Sequence, residues 1–177
     1  SRRGPVSAPM TVAVGMGGNV GDRLVALRRA VAALGAHPEV DVVAVSPVYE
    51  TEALVPPGAA PQPDHLNAVV VAETTLAPYA MLRVLHGIER AAGRDPFAPR
   101  WSPRPLDLDL LLVGDAAFSS SALTVPHPAL ARRRFVLTPL ADVLPEAVVP
   151  GLGASVADLL AACPDPLAVT QTDLSLA

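Results

Sequence analysis

A single cysteine, Cys163, is all the thiol in this chain of 177 residues. That rules out an internal disulfide and a cysteine-built zinc site, and it suits a reducing compartment. Aromatic residues are just as scarce, at 3% against 51% apolar, so the core has to be built from valine, leucine and alanine. No apolar run approaches the ~18 residues of a membrane span. The basic start Ser1-Arg2-Arg3-Gly4-Pro5 leads into an apolar segment interrupted by Gly15, Gly17 and Gly18, a poor match to a signal peptide. A cytoplasmic protein without a membrane partner is therefore expected. Excess positive charge is missing too: the formal charge is −4, and gripping a nucleic-acid backbone takes a basic face.

Proline, by contrast, is plentiful. The 20 prolines cluster at residues 56 to 63, 96 to 105 and 126 to 150, where they mark connections. The length fits one domain and no internal repeat is evident. Residues 1 to 9 read as a flexible extension, 10 to 163 as the folded domain beginning near Met10, and 164 to 177 as a loose tail.

Val12, Val14 and Met16 alternate with small residues, giving a first strand that runs into Gly17-Gly18-Asn19-Val20-Gly21-Asp22. Leu24, Leu27, Val31 and Leu34 follow at helical spacing, with Asp22 at the start and Gly35 as the expected terminator. Strands are expected over residues 40 to 49 and 66 to 73, the latter placing Asn67, Val69 and Val71 on one face. Pro78 opens a second helix with Met81, Leu85, Ile88 and Ala92 along its stripe, closed by Gly93. A fourth strand runs from Leu106 to Val113. The order β-α-β-β-α-β predicts an α+β, ferredoxin-like antiparallel sheet with its helices on one face. The C-terminal extension is less regular, with short helices expected at residues 128 to 134, 139 to 144 and 155 to 162.

The fourth strand holds the strongest chemical signal. Leu106-Asp107-Leu108-Asp109-Leu110 alternates apolar and acidic residues, so both carboxylates project from one side, roughly 6.5–7 Å apart along the strand. A wet outer face explains most such pairs. Here, however, Asp is a poor strand former, and Pro103 and Pro105 stiffen the approach of Arg104. Paired carboxylates beside guanidiniums suit a pair of magnesium ions and a phosphate clamp.

Other candidates stay open on pattern alone. The glycine turn would cradle a phosphate at a helix N-terminus, or simply serve as a strand-to-helix turn; it lacks the Lys-Ser/Thr of a P-loop. Asn67 sits in an apolar strand and would suit a heterocycle edge or a strand start. Trp101 and Phe135 are core or ligand platforms. His127, held between Pro126 and Pro128, is a loop residue or, with Arg94, Arg100, Arg104, Arg133 and Arg134, part of a basic pocket opposite the aspartates.

Five motifs occur in order: Gly17-x-Asn19-x-Gly21-Asp22-Arg23, Pro63-Asp64-x-Leu66-Asn67, Glu89-x4-Arg94, Arg100-Trp101-x-Pro103-Arg104-x-Leu106-Asp107-x-Asp109 and Val125-Pro126-His127-Pro128-x4-Arg133-x-Phe135. Over residues 11 to 150 the chain resembles the 6-hydroxymethyl-7,8-dihydropterin pyrophosphokinases of folate biosynthesis. The resemblance implies a monomer that transfers the β,γ-diphosphate of ATP to the hydroxymethyl oxygen of the pterin and releases AMP. It also implies two magnesium ions on Asp107 and Asp109, with Arg94 and Arg104 as further catalytic residues. Glu89, Arg100, Trp101, Arg104, Leu110, Thr124, His127 and Arg133 would surround ATP. Thr51, Leu54, His65, Asn67 and Phe135 would hold the pterin, with residues 55 to 62 and 95 to 99 closing over both substrates.

Four positions depart from the family pattern: Pro96 and Ala122 stand where arginines are expected, His65 for a tyrosine and Gly18 for a serine. Arg132 and Arg134 would have to replace the lost charge. Two other readings are a ferredoxin-like metabolite-sensing module and a metal-dependent nucleotidyltransferase. The first has no need of the acidic pair, and the second would release pyrophosphate rather than AMP.

Overall fold

The computed structural model describes residues 8 to 95, 97 to 99 and 102 to 176. In its main sheet β1 (Met10–Gly18) is paired antiparallel on one side with β4 (His65–Thr74) and on the other with β5 (Asp107–Val113). Beyond β4 the single strand expected over residues 40 to 49 is broken in two. The piece β2 (Val40–Val45) pairs with one half of β4, and β3 (Tyr49–Thr51) pairs with the start of β4. Pro47 has no N–H to give a ladder. Ser46 bridges the gap: its N–H donates to Val69 O at 2.9 Å, and its hydroxyl accepts from Val69 N–H at 2.8 Å.

Helices α1 (Arg23–Ala36) and α2 (Pro78–Ala91) complete the β-α-β-β-α-β order of a ferredoxin-like α+β fold. The Asp22 carboxylate caps α1 by accepting from Val25 N–H at 3.1 Å. Gly35 does not end α1. The helix continues to Ala36 and stops at His37, whose helical conformation Pro38 disfavours. In α2, Pro78 fills the first turn and Gly93, at φ +93°, follows the last, as expected.

Alternation along the strands feeds two cores. Val12, Val14, Met16, Ala68, Val70, Leu108 and Leu110 face Leu27 and Leu34 of α1 and Met81 and Leu85 of α2. Ala13, Val69, Leu111 and Leu112 face the opposite way, onto α3 (Arg134–Val143) and α4 (Val156–Ala161). A register shift opposite Ala13 and Val14 turns two successive leucines, Leu111 and Leu112, to that second side. Helices therefore cover both faces, α1 and α2 one and the C-terminal extension the other.

Within the extension, β6 (Phe118–Ser119) and β7 (Thr124–Val125) form a small hairpin, and a 3₁₀ turn spans Leu130–Arg132. The helix expected to begin at Pro139 begins instead at Arg134 and runs through Pro139, whose ring is buried beside Val136, Leu137 and Leu140. The tail is not loose. Its β-branched Val169-Thr170 lies in β8 (Val169–Gln171), which pairs with the edge that β3 leaves open. Leu176 then packs into the first core, and Arg28 donates from Nε and Nη2 to Ser175 O at 3.0 and 2.8 Å.

One polar bond ties the sheet to α3: the Tyr49 hydroxyl donates to the Asp142 carboxylate. Burial, reinforced by that carboxylate, pushes the Tyr49 phenol up from its ordinary 10 to about 12. A group with a raised folded-state pKa stabilises fully below its unfolded value and loses that contribution as pH climbs through the folded one. Urea midpoints are accordingly expected to drop between pH 10 and 12. Tyr49→Phe should lose about 1 kcal/mol at neutral pH and flatten that decline; an unchanged decline would remove Tyr49 as its source.

Candidate active site

Strand β5 lies at the edge of the sheet, so the N–H of Leu108 meets no neighbouring strand. It donates instead to Glu89 Oε2 at 2.9 Å, a carboxylate from α2 whose residue is only 4% exposed. Burial pushes the Glu89 carboxyl above its ordinary pKa, against the pull of the Leu108 N–H and of Arg94. Arg94 Nη1 spans two acids, donating to Glu89 Oε2 and, at 2.6 Å, to Asp107 Oδ1. Arg104 approaches the other Asp107 oxygen at 3.5 Å.

Asp109 is treated differently. No hydrogen bond reaches its carboxylate among the described residues, and burial, then the charges of Asp107 and Glu89, push it up to about 7. Arg133 and Arg94 offset this only in part. The anion of Asp109 is thus short of a positive partner, and a divalent cation would supply one. Two hard carboxylates on one strand face match magnesium in kind. No group of three or more acidic, histidine or cysteine side chains placed to hold one metal ion occurs among the described residues. Water and phosphate would have to fill the remaining positions, as is usual for this ion.

Two cavities meet at this strand. One, of about 530 Å³, lies over the sheet face and is lined by Gly15, Gly17, Thr51, Leu54, His65, Asn67 and Phe135. The other, of about 460 Å³, lies beyond the edge and is lined by Leu82, His86, Glu89, Leu110, Leu123, Thr124 and His127. Arg104, Asp107, Asp109 and Arg133 border both.

In the first cavity the Asn67 amide, 6% exposed, donates to Thr51 Oγ1 at 2.7 Å. Its Oδ1 lies where a Cβ on Gly17 would come within 3.1 Å, so the absence of a side chain at Gly17 makes room for the amide. Arg133 stands over the Phe135 ring, 5.7 Å from its centroid. In the second cavity, burial and the nearby Arg133 charge lower the His127 pKa and favour the neutral ring. Its Nδ1 accepts from Ala129 N–H at 3.1 Å, leaving the proton on Nε2 as a donor. Burial likewise lowers His65, although Asp107 opposes it.

All five residues expected to hold a pterin come together in the first cavity. Glu89, Arg94, Arg104, Leu110, Thr124, His127 and Arg133 line the second. Arg100, Trp101 and Pro96 lie outside the described residues. Arg134 does not replace missing phosphate-binding charge: its guanidinium donates to the carbonyls of Cys163 at 2.9 Å and Asp165 at 3.2 Å. Sequence reasoning missed Leu82 and His86, which share the helical stripe of Glu89, and also Asp165 and Leu167, which the returning tail brings to the first cavity.

The chain is similar to known proteins over most of its length. A model of the 7,8-dihydro-6-hydroxymethylpterin-pyrophosphokinase (HPPK) family matches residues 13 to 145. The 2-amino-4-hydroxy-6-hydroxymethyldihydropteridine pyrophosphokinase of Pseudomonas aeruginosa is 41% identical over 153 residues, 86% of this chain and 91% of that protein. The enzyme of the same name from Synechocystis is 39% identical over 147 residues, 83% of this chain and 73% of the other. In fold, the HPPK-DHPS of Plasmodium falciparum solved with pteroate superposes with a TM-score of 0.69 at 15% identity, covering 90% of this chain and 43% of that one. With an acidic pair set between two cavities and a family match over most of its length, this chain belongs to the HPPK family.

Proposed function

We propose that the cavity over the sheet face takes 6-hydroxymethyl-7,8-dihydropterin and the cavity beyond the edge takes ATP, and that the chain moves the β,γ-diphosphate between them. The family activity is this pyrophosphokinase reaction of folate biosynthesis, with ATP as the donor. The single observation that carries the assignment is the shared border of the two cavities at Arg104, Asp107, Asp109 and Arg133. A group passing from one ligand to the other has to cross there.

The chemistry of each wall supports its ligand. Asn67 offers both donor and acceptor to the edge of a flat heterocycle, with Thr51 fixing its amide. Phe135 offers a ring face, and His65 and Leu54 enclose the rest. On the other side Leu82, Leu110 and Leu123 give an apolar bed for a base, while His127 Nε2–H, Thr124, Arg94 and Arg133 suit phosphate oxygens. In the reaction the hydroxymethyl oxygen forms a bond to the β-phosphorus as the bond from that phosphorus to the α,β-bridging oxygen breaks. The hydroxyl proton passes to solvent and AMP leaves.

Asp107 and Asp109 would hold magnesium, two ions in this reading, which supply charge neutralisation and alignment of the triphosphate when bound. Arg104 stands at the crossing point and steadies charge on the transferring group, and Arg94 orients Asp107. Holding two ligands end to end is the largest share of the task. In this reading the chain acts as a monomer on small molecules. No helix among the described residues is long and apolar enough to cross a membrane, and a cytoplasmic location is part of the same proposal.

The purified chain with ATP, magnesium and the hydroxymethyl dihydropterin is expected to yield AMP and the pterin diphosphate, followed by chromatography of both products. Pyrophosphate in place of AMP would overturn the assignment in favour of nucleotidyl transfer. Asp107→Ala and Asp109→Ala should each cost at least about 10²–10³-fold in kcat. Their melting temperatures should stay close to that of the parent, and a collapse of both folds would point to a structural role instead. Phe135→Ala should raise KM for the pterin about tenfold, near the value of one lost ring stack, with KM for ATP little changed. Equal rises in both constants would remove Phe135 from the pterin wall.

A further inference from the structure

The glycine turn after β1 does not line the nucleotide-side cavity. Its polar residue points inward to a different task. Asn19 is 1% exposed, and its backbone N–H and both polar ends of its side chain are engaged. Its backbone N–H donates to Arg104 O at 3.0 Å, and its Oδ1 accepts from Arg104 N–H at 2.9 Å. Its Nδ2 donates to Gln62 Oε1 at 3.0 Å and to Pro63 O at 3.2 Å. One short side chain therefore grips two segments far apart in sequence: the stem of the proline-rich connection at residues 55 to 64, and the approach to β5 that presents Arg104.

Neighbouring residues are shaped to the same end. A Cβ on Gly18 would fall 2.4 Å from Pro105 O, so in this chain the missing side chain lets the Arg104-Pro105 backbone lie this close to the end of β1. Arg23, one turn on, donates from Nη1 to Asp64 O at 2.7 Å and pairs with Glu50 at 3.0 Å, giving the stem a second tie.

We infer that Asn19, seated by Gly18, is a positioning residue that fixes Arg104 at the crossing point between the cavities and couples it to the stem of the connection at residues 55 to 64. The inference deepens the functional reading above and rests on it for the meaning of Arg104. Asn19 lines neither of the two cavities, so its effect on turnover runs through the backbone of Arg104. Losing the amide would leave Arg104 its charge but not its place. Because placement errors of about 1 Å can cost on the order of 100-fold, the loss should fall on kcat.

The test combines kinetics with hydrogen exchange on the full chain. Asn19→Ala is expected to lower kcat about 10- to 100-fold while KM for ATP changes little. Gly18→Ala removes no hydrogen-bonding group yet should give the same signature by displacing Pro105. In the Arg104→Ala background, Asn19→Ala should cost no more than about threefold further, since a residue that acts through one guanidinium has nothing left to place once that group is gone. Exchange in Asn19→Ala should quicken at residues 62 to 64 and 102 to 106 together. Fully multiplying losses, a kcat within about twofold of the parent, or faster exchange in only one of the two segments would each overturn the proposal. A parent chain without pyrophosphokinase turnover would sink the functional reading instead, and the paired exchange response would still decide whether the two segments share one tie.

Discussion

Three carboxylates, Glu89, Asp107 and Asp109, crowd the head of an edge strand, and the rest of the site is arranged around that repulsion. Like charges held together and partly out of water favour the protonated form of at least one of them. The counter-charges at hand are all guanidiniums, since the chain carries no lysine. That suits the geometry. Arg94 reaches Glu89 and Asp107 from one planar group, a span that a single ammonium on a flexible stem satisfies less well. Such clusters return little net stability, because the desolvation they require offsets most of the attraction. In the proposed reading their value lies in holding charge ready for a polyanion and its metal.

Placing this cluster on β5 also solves a problem of separation. The strand alternates, so Leu108 and Leu110 anchor it in the first core while Asp107 and Asp109 face the side of α3. It is also an edge, so one cavity opens over its face and the other beyond its rim. In the proposed assignment, two ligands that must react but must not compete for one pocket are thereby divided by the thickness of a single strand. An interior strand, with neighbours on both sides, would leave no room for the second cavity. Glu89 is part of the same solution: it answers the Leu108 N–H that the missing neighbour would have taken.

Features with a short-range cause were legible in the sequence. The period of two gave the common face of Asp107 and Asp109, Pro78 and Gly93 bounded α2, and an amide in an apolar strand singled out Asn67. What escaped depends on distant partners. That the carboxylate of Glu89 would take a strand N–H cannot be read before β5 is known to be an edge. Ser46 bridges a broken strand only because Val69 happens to lie opposite. Arg134 looked like a free cation until the tail returned to accept its donors, and that return follows from an open edge on β3 rather than from any local pattern in residues 164 to 177. Gly35 misled because the helix-stopping signal of glycine was weaker than that of Pro38 three residues on.

The proline-rich connection between β3 and β4 gains a physical purpose when its stem is considered with its composition. Pro56, Pro57, Pro61 and Pro63 narrow the conformations open to it, and Asn19 and Arg23 pin its second end. A segment so restricted has less entropy to lose when a ligand orders it, so more of the contact energy remains as affinity or as alignment. The tie to Arg104 extends the same economy across the molecule. Arg104, which in the proposed assignment meets the transferring phosphate, is held through its backbone, on the side opposite its charge, so that its root stays fixed while the guanidinium would follow the ligand. Backbone anchoring of this kind separates where a charge is from where it points, and a site that passes a group between two cavities needs the first fixed and the second adjustable.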